Sequence, residues 1–135
     1  MFVRPVKNPS LSDYIVQLTG ITDALLEQRG VPFAEGLARF SEFAADAPIL
    51  ANGGDGGVLR ENCLLNAIPF PFEAGRVVTI RSALERAIGR PSSELVSAEL
   101  PALLGIGPPP DQHGALADAR AIGSCLAWLR GRGRI

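Results

Sequence analysis

One histidine occurs in the chain, His113, and Asp118 follows it by five positions. With His113 just before a helix and Asp118 in its first turns, both side chains point toward the helix amino end. There, free backbone N–H groups and the dipole favour an anion such as phosphate. A base, a carboxylate and a phosphate seat would then stand together. The plainer reading of the two residues is a surface histidine and a solvated aspartate at a helix start. A second candidate is Asp55, the one charge in the run Asn52-Gly53-Gly54-Asp55-Gly56-Gly57. Glycine lets a ligand or another backbone come close to such a carboxylate. The alternative is a loop in which Asp and Gly merely supply turn conformations. Asp55 beside Asp118 would form a hard, oxygen-rich site suited to magnesium or manganese and poorly suited to zinc or copper.

The elements that must hold these residues follow from periodicity and punctuation. Phe2 to Val6 reads as a short strand, and Pro5 assigns it to a sheet edge. Ser10, with Asp13 three residues on, reads as the cap of a helix whose apolar points are Tyr14, Ile15 and Leu18, ended by Gly20. Thr22 caps a second short helix that Gly30 terminates. Phe33, Leu37, Phe40 and Ala44 recur at the helical period, which predicts a helix over 34–45 with Phe43 widening its apolar stripe. Ile49-Leu50-Ala51 is a buried strand running into the glycine-rich turn, and Val58 to Ala67 is the helix after it. This is the order in which α/β sheets present ligand sites. Val77 to Ile80 is another strand, and Ser82 to Ile88 and Ala98 to Leu104 are helices. The last helix spans 114–130 with Leu116, Ala119, Ile122, Leu126 and Leu129 on one stripe and Trp128 in the core. Strands alternating with helices make the class α/β.

Composition narrows the rest. A chain of 135 residues suits one domain built on a single core. Hydrophobic residues are 47% and charged residues 20%, which excludes a disordered polar chain. Thirteen Lys and Arg against fourteen Asp and Glu give a net charge of −1, so no global cationic field holds a polyanion. Nucleic-acid contact must be local. The basic end Arg130, Arg132, Arg134, interleaved with Gly131 and Gly133, reads first as a frayed terminus of the kind common on soluble proteins, with contact to a phosphate backbone as the alternative. No apolar run approaches the roughly 20 residues of a membrane helix, and Met1-Phe2-Val3-Arg4-Pro5 lacks a secretory signal. The expectation is a soluble, cytoplasmic protein without membrane contact. Cys63 and Cys125 stand far apart with no metal-type spacing, and are expected to be reduced, buried thiols.

Several blocks in order carry a family resemblance. His113-Gly114-Ala115-Leu116-Ala117-Asp118-Ala119 resembles the third motif of the DEDDh 3'–5' exonucleases, the superfamily of ribonuclease T and the proofreading subunit of bacterial DNA polymerase III. Phe2-Val3-Arg4-Pro5, Asn8-Pro9-x-Leu11-Ser12-Asp13-Tyr14 and Leu18-Thr19-Gly20-Ile21-Thr22 resemble successive blocks of the branch related to histone-mRNA-processing exonucleases. Asp55-x-x-x-Leu59-x-x-x-Cys63 resembles that branch's second motif, whose Asp is a metal ligand. The resemblance implies a ribonuclease H-like α/β fold and removal of nucleotides one at a time from single-stranded RNA or DNA 3' ends. It further implies Asp55 and Asp118 as ligands of Mg2+ or Mn2+ and His113 as general base. An imidazole with a pKa near 6.5 suits proton abstraction at neutral pH. Leu18, Thr19, Gly20, Ile21 and Thr22 would line the pocket of the terminal nucleotide, or form only a helix-to-helix turn.

The family's first motif, Asp-x-Glu on the opening strand, has no counterpart in these residues. Two divalent ions bring about +4, and Asp55 with Asp118 offers about −2, so weak binding or a single ion is expected. The expected fold is accordingly a ribonuclease H-like exonuclease domain over 1–135, truncated at its amino end, with its first strands absent. Three accounts remain open at this point. The true start lies upstream of Met1; or the chain is a non-catalytic nucleic-acid-binding or interaction module on a decayed scaffold; or another chain, such as a second copy in a homo-oligomer, supplies the missing acids.

Overall fold

The computed structural model describes residues 1–107 and 114–135, and these fall into two compact units. The first comprises residues 1–50 and 54–78, the second residues 51–53 and 79–135. In the first, strand β1 (Phe2–Val3) is followed by α1 (Asp13–Thr19), α2 (Asp23–Arg29), β2 (Gly30–Val31) and α3 (Phe33–Ala44). Ser12, not Ser10, caps α1: its hydroxyl accepts the Ile15 N–H at 3.4 Å. Gly20 ends that helix at φ +69°, and Thr22 caps α2 by accepting the Leu25 N–H at 3.2 Å. Tyr14, Ile15 and Leu18 are exposed, so α1 contributes no buried residue to a core, contrary to its apolar spacing.

The chain leaves α2 directly into β2, a strand of two residues that no apolar run announces. It pairs in parallel with β1, Phe2 opposite Gly30 and Val3 opposite Val31, and the Arg4 N–H extends the ladder to the Val31 carbonyl at 2.9 Å. Two glycines make this packing feasible. A Cβ on Gly30 would overlap the Leu26 carbonyl oxygen and stand 2.7 Å from Arg4 Cγ, and one on Gly36 would meet Val3 Cγ2 at 2.7 Å. Along α3, Leu37 and Ala44 are buried and Phe33 and Phe40 partly so. Phe43 is 87% exposed and does not widen the stripe. It lies about 60° round the helix from Phe40, on the side away from Ala44.

Strand β3 (Ile49–Ala51), helix α4 (Asp55–Leu65) and strand β4 (Val77–Thr79) follow. β3 and β4 form a second two-stranded sheet, in which the Ile49 N–H donates to Arg76 O and the Ile80 N–H to Ala51 O, each at 2.9 Å. Helix α4 starts three residues before the expected Val58. Glycine there serves close packing rather than a turn: a Cβ on Gly56 would lie 3.0 Å from Val77 Cγ1. The unit's core is Leu37, Cys63 and Phe72, with Phe40 and Phe70 edge-on to Phe72 at 5.8 and 5.5 Å. The offset edge-to-face arrangement suits the ring quadrupoles.

In the second unit α5 (Arg81–Ile88), two 3-10 turns (Ser92–Glu94 and Ser97–Glu99), α6 (Leu100–Leu103) and α7 (Ala115–Arg130) enclose one core. It holds Ile80, Leu84, Ala87, Leu95, Leu100, Cys125 and Leu129. The segment expected as one apolar helix over 98–104 opens instead as a 3-10 turn. The buried line of α7 is Ala121, Cys125 and Leu129, with Ile122, Leu126 and Trp128 partly covered against the same core. Leu116, 63% exposed, and Ala119 fall outside it. Small residues, not the largest apolar ones, mark the face where α7 packs on α6 and the second 3-10 turn. Both thiols are free and buried; burial pushes Cys125 up to about 11 and raises Cys63, with Arg60 pulling the latter partway back. Among the described residues no helix is long and apolar enough to cross a membrane.

Gly30→Ala is expected to lower stability by about 1–3 kcal/mol, since the Leu26 carbonyl belongs to helix backbone and yields little. Urea unfolding reads this directly, and an unchanged midpoint would contradict the close approach.

Candidate functional site

The second unit contains a cavity of about 320 Å³ lined by Arg81, Ser92, Ser93, Leu95, Ser97 and Asp118, among others. Asp118 lies in the first turn of α7, where its N–H donates to the Gly114 carbonyl at 3.0 Å, so the helix start sets the carboxylate's place. Negative charge is favoured there by the dipole. Its Oδ1 is buried and meets no hydrogen-bond donor among the described residues. Such an atom is rare and costly, about 1–3 kcal/mol for a neutral group and more for a charged one.

The wall beside Asp118 is built by two residues that carry no motif. Asn52, at the end of β3, is 3% exposed. Its side-chain amide donates to the Leu95 carbonyl at 2.8 Å and to Ser97 Oγ at 3.0 Å. Its backbone carbonyl accepts Arg81 Nε–H at 2.6 Å, and Arg81 Nη1 reaches on to the Ser92 carbonyl at 2.9 Å. Because Asn52 donates to Ser97 Oγ, the Ser97 hydroxyl proton remains available to another acceptor. The Asn52 Oδ1 is itself buried and without a partner among the described residues. In the sequence Asn52 reads as one more polar turn residue; the only hint of its role is its position directly after an apolar strand. An arginine opening α5 with no acidic residue in its first turn is the corresponding hint for Arg81.

The other expected residues lie as follows. Asp55 is the first residue of α4, exposed, in the first unit; Asp118 belongs to the second. His113 lies outside the described residues. Leu18 to Thr22 forms the turn between α1 and α2, and two of its side chains have local duties. Thr19 Oγ1 donates to the Ile15 carbonyl at 2.7 Å and accepts the Ile21 N–H at 3.2 Å, while Thr22 caps α2. Leu18 is exposed, Ile21 half-buried, and a Cβ on Gly20 would meet nothing within 4 Å, so the turn's surface is open.

Carboxylates thus stand at the start of the helix that follows a sheet strand and in the first turn of the last helix, and comparisons with known proteins place the chain in a family. The nuclease domain of 3'hExo, a DEDDh family member bound to rAMP, superposes with a TM-score of 0.82 at 23% identity, over 97% of this chain and 70% of that one. A full-length 3'-exonuclease gives 0.83 at 23% identity, over 97% of this chain and 46% of its own. A 3'-exonuclease in 3'-end specific recognition of histone mRNA stem-loop gives 0.80 at 23% identity, over 97% and 62%. The chain thus spans about half to seven-tenths of these structures. The Exonuclease (RNase T) family model matches residues 1–126, and the chain belongs to that family. No curated protein matches. The expected ribonuclease H-like α/β fold and the DEDDh resemblance are borne out at the level of fold.

The family normally uses divalent metal ions. The buried Asp118 oxygen, with no donor among the described residues, suits a hard cation as one ligand. Among the described residues there is no group of three or more His, Cys, Asp or Glu placed to hold one.

Asn52→Ala removes two donated bonds and strands the buried Leu95 carbonyl. Its expected cost is about 1–3 kcal/mol; denaturant melts check it, and a loss below a few tenths would contradict the role given to Asn52.

Proposed function

We propose that the chain is a 3'–5' exonuclease domain acting on single-stranded RNA or DNA ends, with Asp55 and Asp118 as ligands of Mg2+ or Mn2+ and His113 as general base. The observation that carries this reading is the buried Asp118 oxygen that has no donor among the described residues, at the head of α7 in the cavity lined by Arg81 and Ser97. Membership of the Exonuclease family over residues 1–126 supports it, since the match spans all three residues. The rAMP and histone mRNA stem-loop of the similar structures suggest a ribonucleotide 3' end as the substrate class.

A bound divalent ion would supply Lewis-acid polarisation of the scissile phosphate and a more acidic attacking water. Asp118 contributes a fixed anionic oxygen held by the helix start, which needs no reorganisation to meet a cation. Asp55, exposed on the first turn of α4, contributes the second carboxylate. The imidazole of His113 accepts the proton of the attacking water, a task for which imidazole is well suited among side chains. The open surface of the Leu18–Thr22 turn receives the terminal sugar and base, with Gly20 allowing close approach. Two carboxylates balance about half the charge of two divalent ions, so metal is held weakly and activity requires it in excess.

One observation favours a second reading, a nucleic-acid-binding module without hydrolysis: the described residues offer no three-ligand metal group. A 5'-labelled single strand with excess Mg2+ or Mn2+ separates the two. Stepwise shortening from the 3' end is expected, falling by about 10²-fold or more in His113→Ala and Asp118→Asn. Equal rates in wild type and Asp118→Asn would overturn the assignment, and binding without shortening would establish the second reading.

A further inference from the structure

The last turn of the chain carries three arginines, and it is ordered. The Gly133 N–H donates to the Arg130 carbonyl at 3.0 Å and the Arg134 N–H to the Leu129 carbonyl at 3.0 Å, with Gly133 at φ +63°. This is a Schellman closure, in which a left-handed glycine satisfies the final helix carbonyls. The Arg132 guanidinium lies over the Trp128 ring, 3.9 Å from its centroid, and Trp128 packs on the core. Stacking uses the face of the guanidinium and leaves its N–H edge for acceptors. The expectation of a frayed basic end is therefore corrected.

The charge exceeds what the helix needs. The carboxyl end of a helix carries roughly half a negative charge, enough to favour one cation but not three. Neither of the ion pairs among the described residues involves Arg130, Arg132 or Arg134. From Ala119 to Ile135 the sequence has four arginines and no acidic residue, in a chain whose net charge is −1. All three side chains are exposed. Holding like charges together on a fixed turn is unfavourable unless a polyanion meets them.

We propose that the turn Arg130–Arg134 is a docking surface for the phosphodiester backbone of the single strand, some nucleotides away from the end under attack. The partner's identity rests on the exonuclease reading. Asp118 and Arg130 share α7, twelve residues apart, which at 1.5 Å per residue is about 18 Å. At about 3.4 Å per stacked nucleotide, that is the length of about five nucleotides. The surface thus senses strands longer than this and ignores shorter ones.

The test is binding of 5'-fluorescein RNA of about 20 nucleotides and of a trinucleotide, by anisotropy over about 50–200 mM salt. Each single-strand phosphate contact contributes about 0.7 to the slope of log K against log salt, so R130Q/R132Q/R134Q lowers the long-strand slope by about 2. The triple lysine variant keeps the slope, and the trinucleotide binds both variants as it binds wild type. An unchanged slope in the glutamine variant, equal loss for the trinucleotide, or wild-type capture of phosphatidylserine vesicles but not RNA overturns the proposal. Adding Mn2+ to the same strands separates it from the hydrolytic reading. Shortening without a slope difference leaves hydrolysis and removes the arginine surface; a slope difference without shortening does the reverse.

Discussion

The second unit depends on Asn52. A strand that ends in a buried amide must find partners for the polar atoms it carries inside, and Asn52 finds them for all but its Oδ1 by fastening the chain after α5. Its side chain takes the Leu95 carbonyl and Ser97 Oγ, and its own carbonyl takes Arg81. Arg81 then ties the first 3-10 turn through Ser92. Buried polar networks of this kind rigidify when satisfied and are costly when broken. Leu95, fully buried beside the amide, joins the network to the apolar core that carries α7. The position of Asp118 is thus a consequence of packing and hydrogen bonding that starts at the end of β3.

Beside that hydrogen-bonded wall, Asp118 Oδ1 stands out as a buried oxygen with no donor among the described residues. Arg81 spends its Nε and Nη1 on backbone carbonyls and Asn52 its amide on Leu95 and Ser97, and none of these bonds goes to Asp118 Oδ1. A hard cation is the partner that the Exonuclease family uses in general. The arginine turn at the other end of α7 has the opposite character, exposed cations with no carboxylate near in sequence. One helix therefore presents an anionic head and a cationic tail, a polarity that suits a metal at one end and a nucleic-acid backbone at the other.

Local signals made much of this fold readable. Thr22 and Gly20 acted as cap and stop because their roles involve only neighbours in sequence. The strands at Ile49 and Val77 followed from short apolar runs between turn residues. What failed was tertiary. Gly56 and Gly57 resembled turn glycines, yet they lie in α4, where Gly56 admits Val77. The buried face of α7 runs through Ala121 and Cys125, which hydrophobicity alone ranks below Leu116. Strand β2 has no pattern of its own and exists because β1 lies beside it. For the site, Asp118 was legible from its motif, whereas Asn52 and Arg81 act through backbone carbonyls distant in sequence, which leave no spacing to read.

Mn2+ titration followed by the electron paramagnetic resonance of the free ion tests the central claim most directly, because it asks whether the buried oxygen is a ligand without requiring turnover. The account predicts binding by the wild-type chain that weakens by about tenfold or more in Asp118→Asn. Binding by Asp118→Asn as tight as by wild type would contradict it.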